Sequence, residues 1–184
     1  MLLEIWRKDF TIYRNATVRP MDSVKMDFHL HDEYEIFIFL SGGVRYFIEK
    51  NSYDLVPGDI LLMRPGEIHK ATFTSNETYE RIVCNFSVDL LEQFADIGSS
   101  LAHCYQNRPH GEKNRLNSTE DEKSELIASF EKMVILNTYP QPWNVQLMIA
   151  MFLEAMVKIN RIFADETRHS VNHLQHRKLK PILE

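Results

Sequence analysis

Up to about residue 88 the chain is a series of short apolar runs cut by turn residues, and beyond it the apolar period becomes helical. The runs cover residues 28–30, 35–40, 44–49, 60–63, 69–73 and 81–86, most of them rich in β-branched and aromatic side chains. Ser41-Gly42-Gly43, Lys50-Asn51-Ser52, Pro57-Gly58-Asp59, Arg64-Pro65-Gly66 and Thr74-Ser75-Asn76 punctuate them. Short strands at this spacing predict a sandwich or barrel, with Gly42-Gly43 supplying the positive φ of a tight hairpin.

The second half reads differently. Residues 88–95 form a short amphipathic segment, and 98–117 are mostly polar, which predicts a loop or loosely ordered connection. Thr119 with Glu122 three positions on is a capping box. It opens a helix over 120–137 whose apolar stripe is Leu126, Ile127, Phe130, Met133, Val134 and Leu136, stopped by Tyr139-Pro140-Gln141-Pro142. A further helix begins near Trp143 and runs to about Phe163, with Val145, Met148, Phe152, Met156, Ile159 and Phe163 on one face. Ile149, Leu153 and Val157 widen that face on one side, Leu147, Met151 and Ile162 on the other. A helix apolar this far round is either packed between its partner helix and the barrel or presents one face to another subunit. Trp6 and Trp143 read as packing residues.

The chemistry is concentrated in His29, His31, Glu35 and His69. Three imidazoles and a carboxylate are a ligand set for a first-row metal or for a polyhydroxylated small molecule. In an extended strand His29 and His31 face the same way, and Glu35 can rejoin that face unless Asp32-Glu33-Tyr34 bends the chain. His69 must come from another strand, so a small barrel is the arrangement that brings the four together. Phe37, Phe39, Tyr46 and Phe73 are strand aromatics available to line such a site or to fill its core, and for any one of them core packing is the plainer role.

The order of these residues resembles the two motifs of the cupin superfamily. His29, His31, Glu35 and Gly42 match the first motif, with Ser23 in place of its opening glycine. Gly58, Gly66 and His69 match the second; Arg64 stands where proline is usual, Pro65 follows it, and Phe73 replaces the closing asparagine. Within the superfamily, His31-Asp32-Glu33-Tyr34-Glu35-Ile36, Leu40-Ser41-Gly42 and the stretch from Pro57 through Ile68-His69 look most like the sensory domain of AraC/XylS-type transcription regulators. The resemblance implies a mainly β fold with C-terminal α, a cupin-type double-stranded β-helix (jelly-roll barrel) followed by two or three helices. It implies an effector-binding barrel over 1–90, a connecting segment over 91–118, a helical dimerisation subdomain over 119–165, and over 166–184 a linker and the start of a helix-turn-helix domain.

On this reading the chain is no enzyme but a sensor and homodimer, binding a sugar-like effector through His29, His31, Glu35, His69, Phe37 and Tyr46. DNA is then contacted only through a C-terminal domain missing from the chain, which is expected to be an expressed fragment. No cofactor is required, but His29, His31, Glu35 and His69 could hold Zn2+, Ni2+, Mn2+ or Fe2+. Two other readings stay open at this point: a metal-dependent cupin oxygenase or isomerase, and a barrel that merely supports a dimerisation module. An arm carrying Arg7 and Arg14 could cover the barrel mouth, and Arg64 is either a surface charge or a contact to an anionic ligand.

Bulk properties narrow the classes. At 184 residues the chain can bury about 70% of its unfolded surface. A net charge of −5 argues against direct nucleic-acid contact by this segment. Cys84 and Cys104 lack metal or redox spacing and read as reduced thiols, which with no basic-then-apolar leader predicts a cytoplasmic protein. The longest apolar run, 147–153, is far below the ~20 residues of a bilayer span, so no membrane partner is expected. His169, His173 and His176 would share a helix face, read as a solvated linker; His103, Cys104 and His110 show no catalytic spacing.

Overall fold

A computed structural model describes Trp6 and residues 8–23, 26–94, 101–139 and 141–179, the side chains of Ser23, Pro142 and residues 166–179 excepted. In chain order the elements are β1 (Phe10–Thr17), α1 (Pro20–Ser23), β2 (Tyr34–Ser41), β3 (Val44–Ile48), β4 (Asn51–Asp54), β5 (Ile60–Met63), β6 (His69–Phe73) and β7 (Tyr79–Phe86). The helices α2 (Val88–Glu92), α3 (His103–Gln106), α4 (Glu120–Thr138) and α5 (Pro142–Leu179) follow. Two antiparallel sheets, ordered β1-β7-β2-β5 and β4-β3-β6, make the barrel of the expected mainly β fold with C-terminal helices.

The continuous apolar run of β2 is explained by burial on both faces of the four-stranded sheet. Ile36 and Ile38 pack with Ile60, Leu62, Ile82, Cys84 and Phe86 toward the helices. Phe37 and Phe39 point the other way, with Leu61, Met63, Tyr79 and Val83, into the barrel against Val44, Tyr46 and Ile48 of the second sheet. Register enforces the split, because Phe37 lies opposite both Val83 and Leu61 while Ile36 lies opposite Cys84 and Leu62. At the β2–β3 turn Gly42 has φ +109°, and a Cβ there would lie 3.0 Å from Tyr79 Cα, so this position requires glycine.

Several elements differ from expectation. β1 was not foreseen, because its apolar residues stop at Ile12 and the rest is an exposed polar edge. β4 occupies residues expected to turn; the turn falls one step earlier, with Glu49 at φ 51°. Residues 28–30 form no strand and contribute a single bridge between His29 and His69.

The connection over 101–118 is firmly held among the described residues: Cys104, Tyr105, Arg108, Asn114 and Leu116 are all buried. The capping box at Thr119 forms as expected. α5 buries the predicted stripe but continues to Leu179, well beyond Phe163. His169, His173 and His176 therefore lie on helix backbone, with side chains outside the described residues. Trp6 is buried and stacks on Phe10 at 4.0 Å, whereas Trp143 is 76% exposed and packs no core. Arg14 ties β1 to α4 through Glu131 at 2.8 Å and does not cover the barrel; Arg7 lies outside the described residues. No described helix is long and apolar enough to cross a membrane.

Candidate functional site

β2, the segment leading into it, and β6 bring His31, Glu35 and His69 together on the inner side of the barrel. The backbone bends at Asp32-Glu33, and beyond the bend Glu35 points into the barrel with Phe37 and Phe39. His31 Nε2 lies 2.9 Å from Glu35 Oε2, and His69 Nε2 lies 3.9 Å from the same oxygen. Donor atoms of the three residues all fall within 4.8 Å of one another. His29 is not part of this trio. It is held by backbone pairing to His69, its exposed ring sits edge-on to the His69 ring at 4.3 Å, and its Nδ1 contacts Asp27 O at 3.1 Å. The bridge is too short to keep the strand alternation that would place His29 and His31 side by side.

Protons on these rings are constrained by their neighbours. Nδ1 of His31 contacts Glu33 O at 2.9 Å, and Nδ1 of His69 contacts Glu67 O at 2.8 Å. A carbonyl only accepts, so both Nδ1 atoms carry hydrogen and both Nε2 atoms face the centre. At His31 the Nε2–Glu35 contact then needs a second proton, and hydrogen bonding to Glu35 does raise the His31 pKa. At His69 burial pushes the pKa down, which favours the neutral ring with a bare Nε2. That Nε2 is buried and has no partner among the described residues. A lone pair and a carboxylate facing each other at 3.9 Å require a donor or a cation between them.

These residues fit a divalent ion. His31, Glu35 and His69 supply two imidazoles and a carboxylate with positions left open, the set favoured by non-haem iron and by open zinc sites. The Nδ1 contacts to Glu33 O and Glu67 O are the outer hydrogen bonds that orient ligating histidines. An ion there would displace the His31 Nε2 proton and supply a positive charge able to anchor an oxygen of a bound molecule.

The aromatic wall forms around His69. Tyr46 stacks on the His69 ring, 14° from parallel with centroids 6.1 Å apart, and Phe37 lies 4.8 Å from Tyr46. Both are almost fully buried, so they also fill the core; burial, then the Glu35 charge, raises the Tyr46 pKa. Phe73 packs on Tyr79 at 5.2 Å.

Sequence reasoning missed the support beneath the trio. Glu67 is fully buried, and its carboxylate accepts hydrogen bonds from Arg108 at 2.7 and 2.9 Å, from Gly111 N at 2.8 Å and from Asn114 Nδ2 at 2.9 Å. Burial alone would raise its pKa, but Arg108 and the backbone N–H groups of Arg64 and Gly111 hold it below the usual glutamate value. Arg64 is not a free surface charge: it is partly buried and its guanidinium donates to Tyr105 O and Arg108 O. Tyr105 donates to Glu35 O, and Cys104 N and Leu101 O are both tied to the Asn160 side chain of α5. Cys84 and Cys104 are free and buried, with Cys104 pushed up to about 12 by burial, which makes neither a nucleophile.

Residues 18–174 match the family model of the AraC-like ligand-binding domain. The chain belongs to that family. Solved structures similar to it include a Cupin 2 conserved barrel domain protein from Salinispora arenicola CNS-205, at 19% identity and TM-score 0.39 over 48% of this chain and 72% of that one. A DMSP lyase DddQ from Ruegeria pomeroyi DSS-3 is similar at 21% identity and TM-score 0.37 over 44% and 39%. A putative sugar phosphate isomerase from Acidithiobacillus ferrooxidans ATCC 23270 reaches 24% identity and TM-score 0.37 over 44% and 52%. Likenesses of this strength carry no inference about function. No curated protein matches the chain.

Proposed function

We propose that this AraC-like ligand-binding domain senses a small polar, sugar-like effector in its barrel through Glu35, His69 and His31, with Tyr46 and Phe37 as the apolar wall and His29 at the rim. One observation carries the reading: a buried, unpartnered His69 Nε2 faces a carboxylate inside the barrel. A buried polar atom left unpaired costs about 1–3 kcal/mol, and a bound hydroxyl or amine relieves it. The segment 101–114 supports transmission, since it grips the trio through Glu67 and Tyr105 and is itself gripped by Asn160 of α5.

The effector would bias the α4–α5 pair, whose exposed Ile135, Tyr139, Trp143, Leu147 and Val157 suit a homodimer contact. In a cytoplasmic transcription regulator built this way, DNA is bound by a domain other than these residues. A second reading, a metal-dependent cupin enzyme, is favoured by one feature, the two-histidine, one-carboxylate geometry of the trio.

A thermal-shift screen over sugars, sugar phosphates, sugar acids and divalent metals tests the proposal. A true ligand at a hundred times its dissociation constant adds about 2.7 kcal/mol. The response should vanish in Glu35→Gln and His69→Ala and survive in Trp143→Ser. A response unchanged by both barrel substitutions contradicts the sensor reading, and turnover of the bound compound replaces it with the enzyme reading.

A further inference from the structure

We propose that the effector is a hydroxylated acid whose carboxylate or phosphate is held by Arg81, at the end of the barrel interior away from His31, Glu35 and His69. The inference rests on the sensor reading and names the chemical class that the same barrel selects. Arg81 shares the inner face of β7 with Tyr79 and Val83, opposite Phe39 of β2 and Asn15 of β1. Its guanidinium lies 4.4 Å over the Tyr79 ring and donates to Thr17 Oγ1 at 3.3 Å. No carboxylate among the described residues pairs with it. A partly buried guanidinium offers donors in a fork and matches the geometry of an oxyanion.

Independent observations point to a ligand here. The Tyr79 hydroxyl is buried in a residue only 1% exposed and has no hydrogen-bond partner among the described residues. Asn85 Oδ1, on the same face of β7 and in register with Glu35, is likewise buried and unpartnered. With His69 Nε2, the barrel side thus holds unsatisfied polar atoms at both ends of β7's inner row, whereas the helix side of β7 carries Ile82, Cys84 and Phe86. The barrel-side residues Thr11, Tyr13 and Asn15 of β1 are exposed, so solvent and solutes reach the interior side along that edge.

Polarity fixes the orientation. An anionic group is repelled by the Glu35 carboxylate and attracted to Arg81, while hydroxyls or an amine satisfy Glu35, Asn85 and His69. Arg81 and Asn85 are four residues apart, about 13 Å of strand. The guanidinium turns toward Tyr79 and Thr17, away from Asn85, so a molecule that meets both ends must be elongated, at least as long as an extended sugar acid or sugar phosphate.

Calorimetry on the full chain tests this with neutral aldoses, the corresponding aldonates and uronates, the corresponding sugar phosphates, and inorganic phosphate alone. An acid should bind at least tenfold more tightly than its neutral parent, and Arg81→Gln should weaken it about ten- to hundredfold while leaving neutral binding within twofold. Arg81→Lys keeps the charge without the fork and should retain part of the gain, which guards against a misfolded Gln variant. The carboxylate and phosphate arms show which oxyanion is used. Equal binding of acid and neutral parent, or acid binding indifferent to Arg81→Gln, overturns the inference while the sensor reading stands on the Glu35 and His69 variants. Failure of every compound in the panel to bind overturns it as well.

Discussion

The two faces of the four-stranded sheet differ more than any two separate elements of the molecule. Toward the helices the strands present hydrocarbon, sulfur and aromatic rings: Phe152 of α5 meets Phe10, Phe86 and Trp6 with centroids 5.3, 5.0 and 5.5 Å away. Toward the barrel the same strands interleave Glu35, Tyr79, Arg81 and Asn85 with Phe37, Phe39 and Val83. Because side chains alternate along a strand, one register position carries stability and the next carries chemistry. The unsatisfied atoms on the barrel face are a stability cost, and the dry face opposite offsets it.

Substitutions on the two faces should therefore separate folding from binding. The largest effect is expected from Phe152→Ala, which removes the ring on which the dry core converges. It should lower unfolding free energy by about 3–5 kcal/mol in denaturant titration, with effector affinity unchanged where the protein stays folded. A loss below about 1 kcal/mol would mean that this face does not hold the fold.

Arg108→Met comes next, at about 3 kcal/mol near neutral pH, because it leaves the Glu67 carboxylate buried and uncompensated. The pH dependence has a definite sign. The folded-state pKa of Glu67 is depressed, so its contribution is present above the unfolded value of 4.5 and is lost as pH falls through the lower folded value. Wild type should lose stability in that acid window, and the variant should not; parallel acid profiles would show that the buried pair is not the titrating element.

Tyr79→Phe should move the other way, gaining about 1 kcal/mol or staying neutral in thermal unfolding while weakening the effector, since it deletes a buried hydroxyl without a partner. A clear loss of stability would show that the hydroxyl is already satisfied in the free protein. The smallest effect belongs to Trp143→Ser on the exposed side of α5. Monomer stability should change by under about 0.5 kcal/mol, while any dimer seen by sedimentation should weaken. An unchanged association constant would remove this face from the interface.

Much of the barrel was legible in the sequence because β2, β3, β5, β6 and β7 are short runs bounded by turn residues, most of them rich in β-branched and aromatic side chains. The trio His31, Glu35 and His69 was legible by motif order, and α4 by its Thr119–Glu122 box. What escaped was set by long-range partners. β1 is a largely polar edge beyond Ile12, and its pairing with β7 and packing on the helices are set by distant residues. Glu67 and Arg108 are ordinary charged residues until the fold buries both beneath the site. Arg81 is one cation in a strand, and only register shows that it faces inward. His29 misled because a single bridge, not a strand, carries it.

The most direct measurement is the imidazole 15N spectrum of His31 and His69, recorded across pH and with a compound or ion that raises the melting temperature. The account predicts that His69 is neutral, with hydrogen on Nδ1 and a bare Nε2, at a pH where His31 carries both protons, and that the stabilising addition shifts His69 Nε2. A His69 ring protonated on Nε2, or an Nε2 resonance unmoved by every stabilising addition, would contradict it.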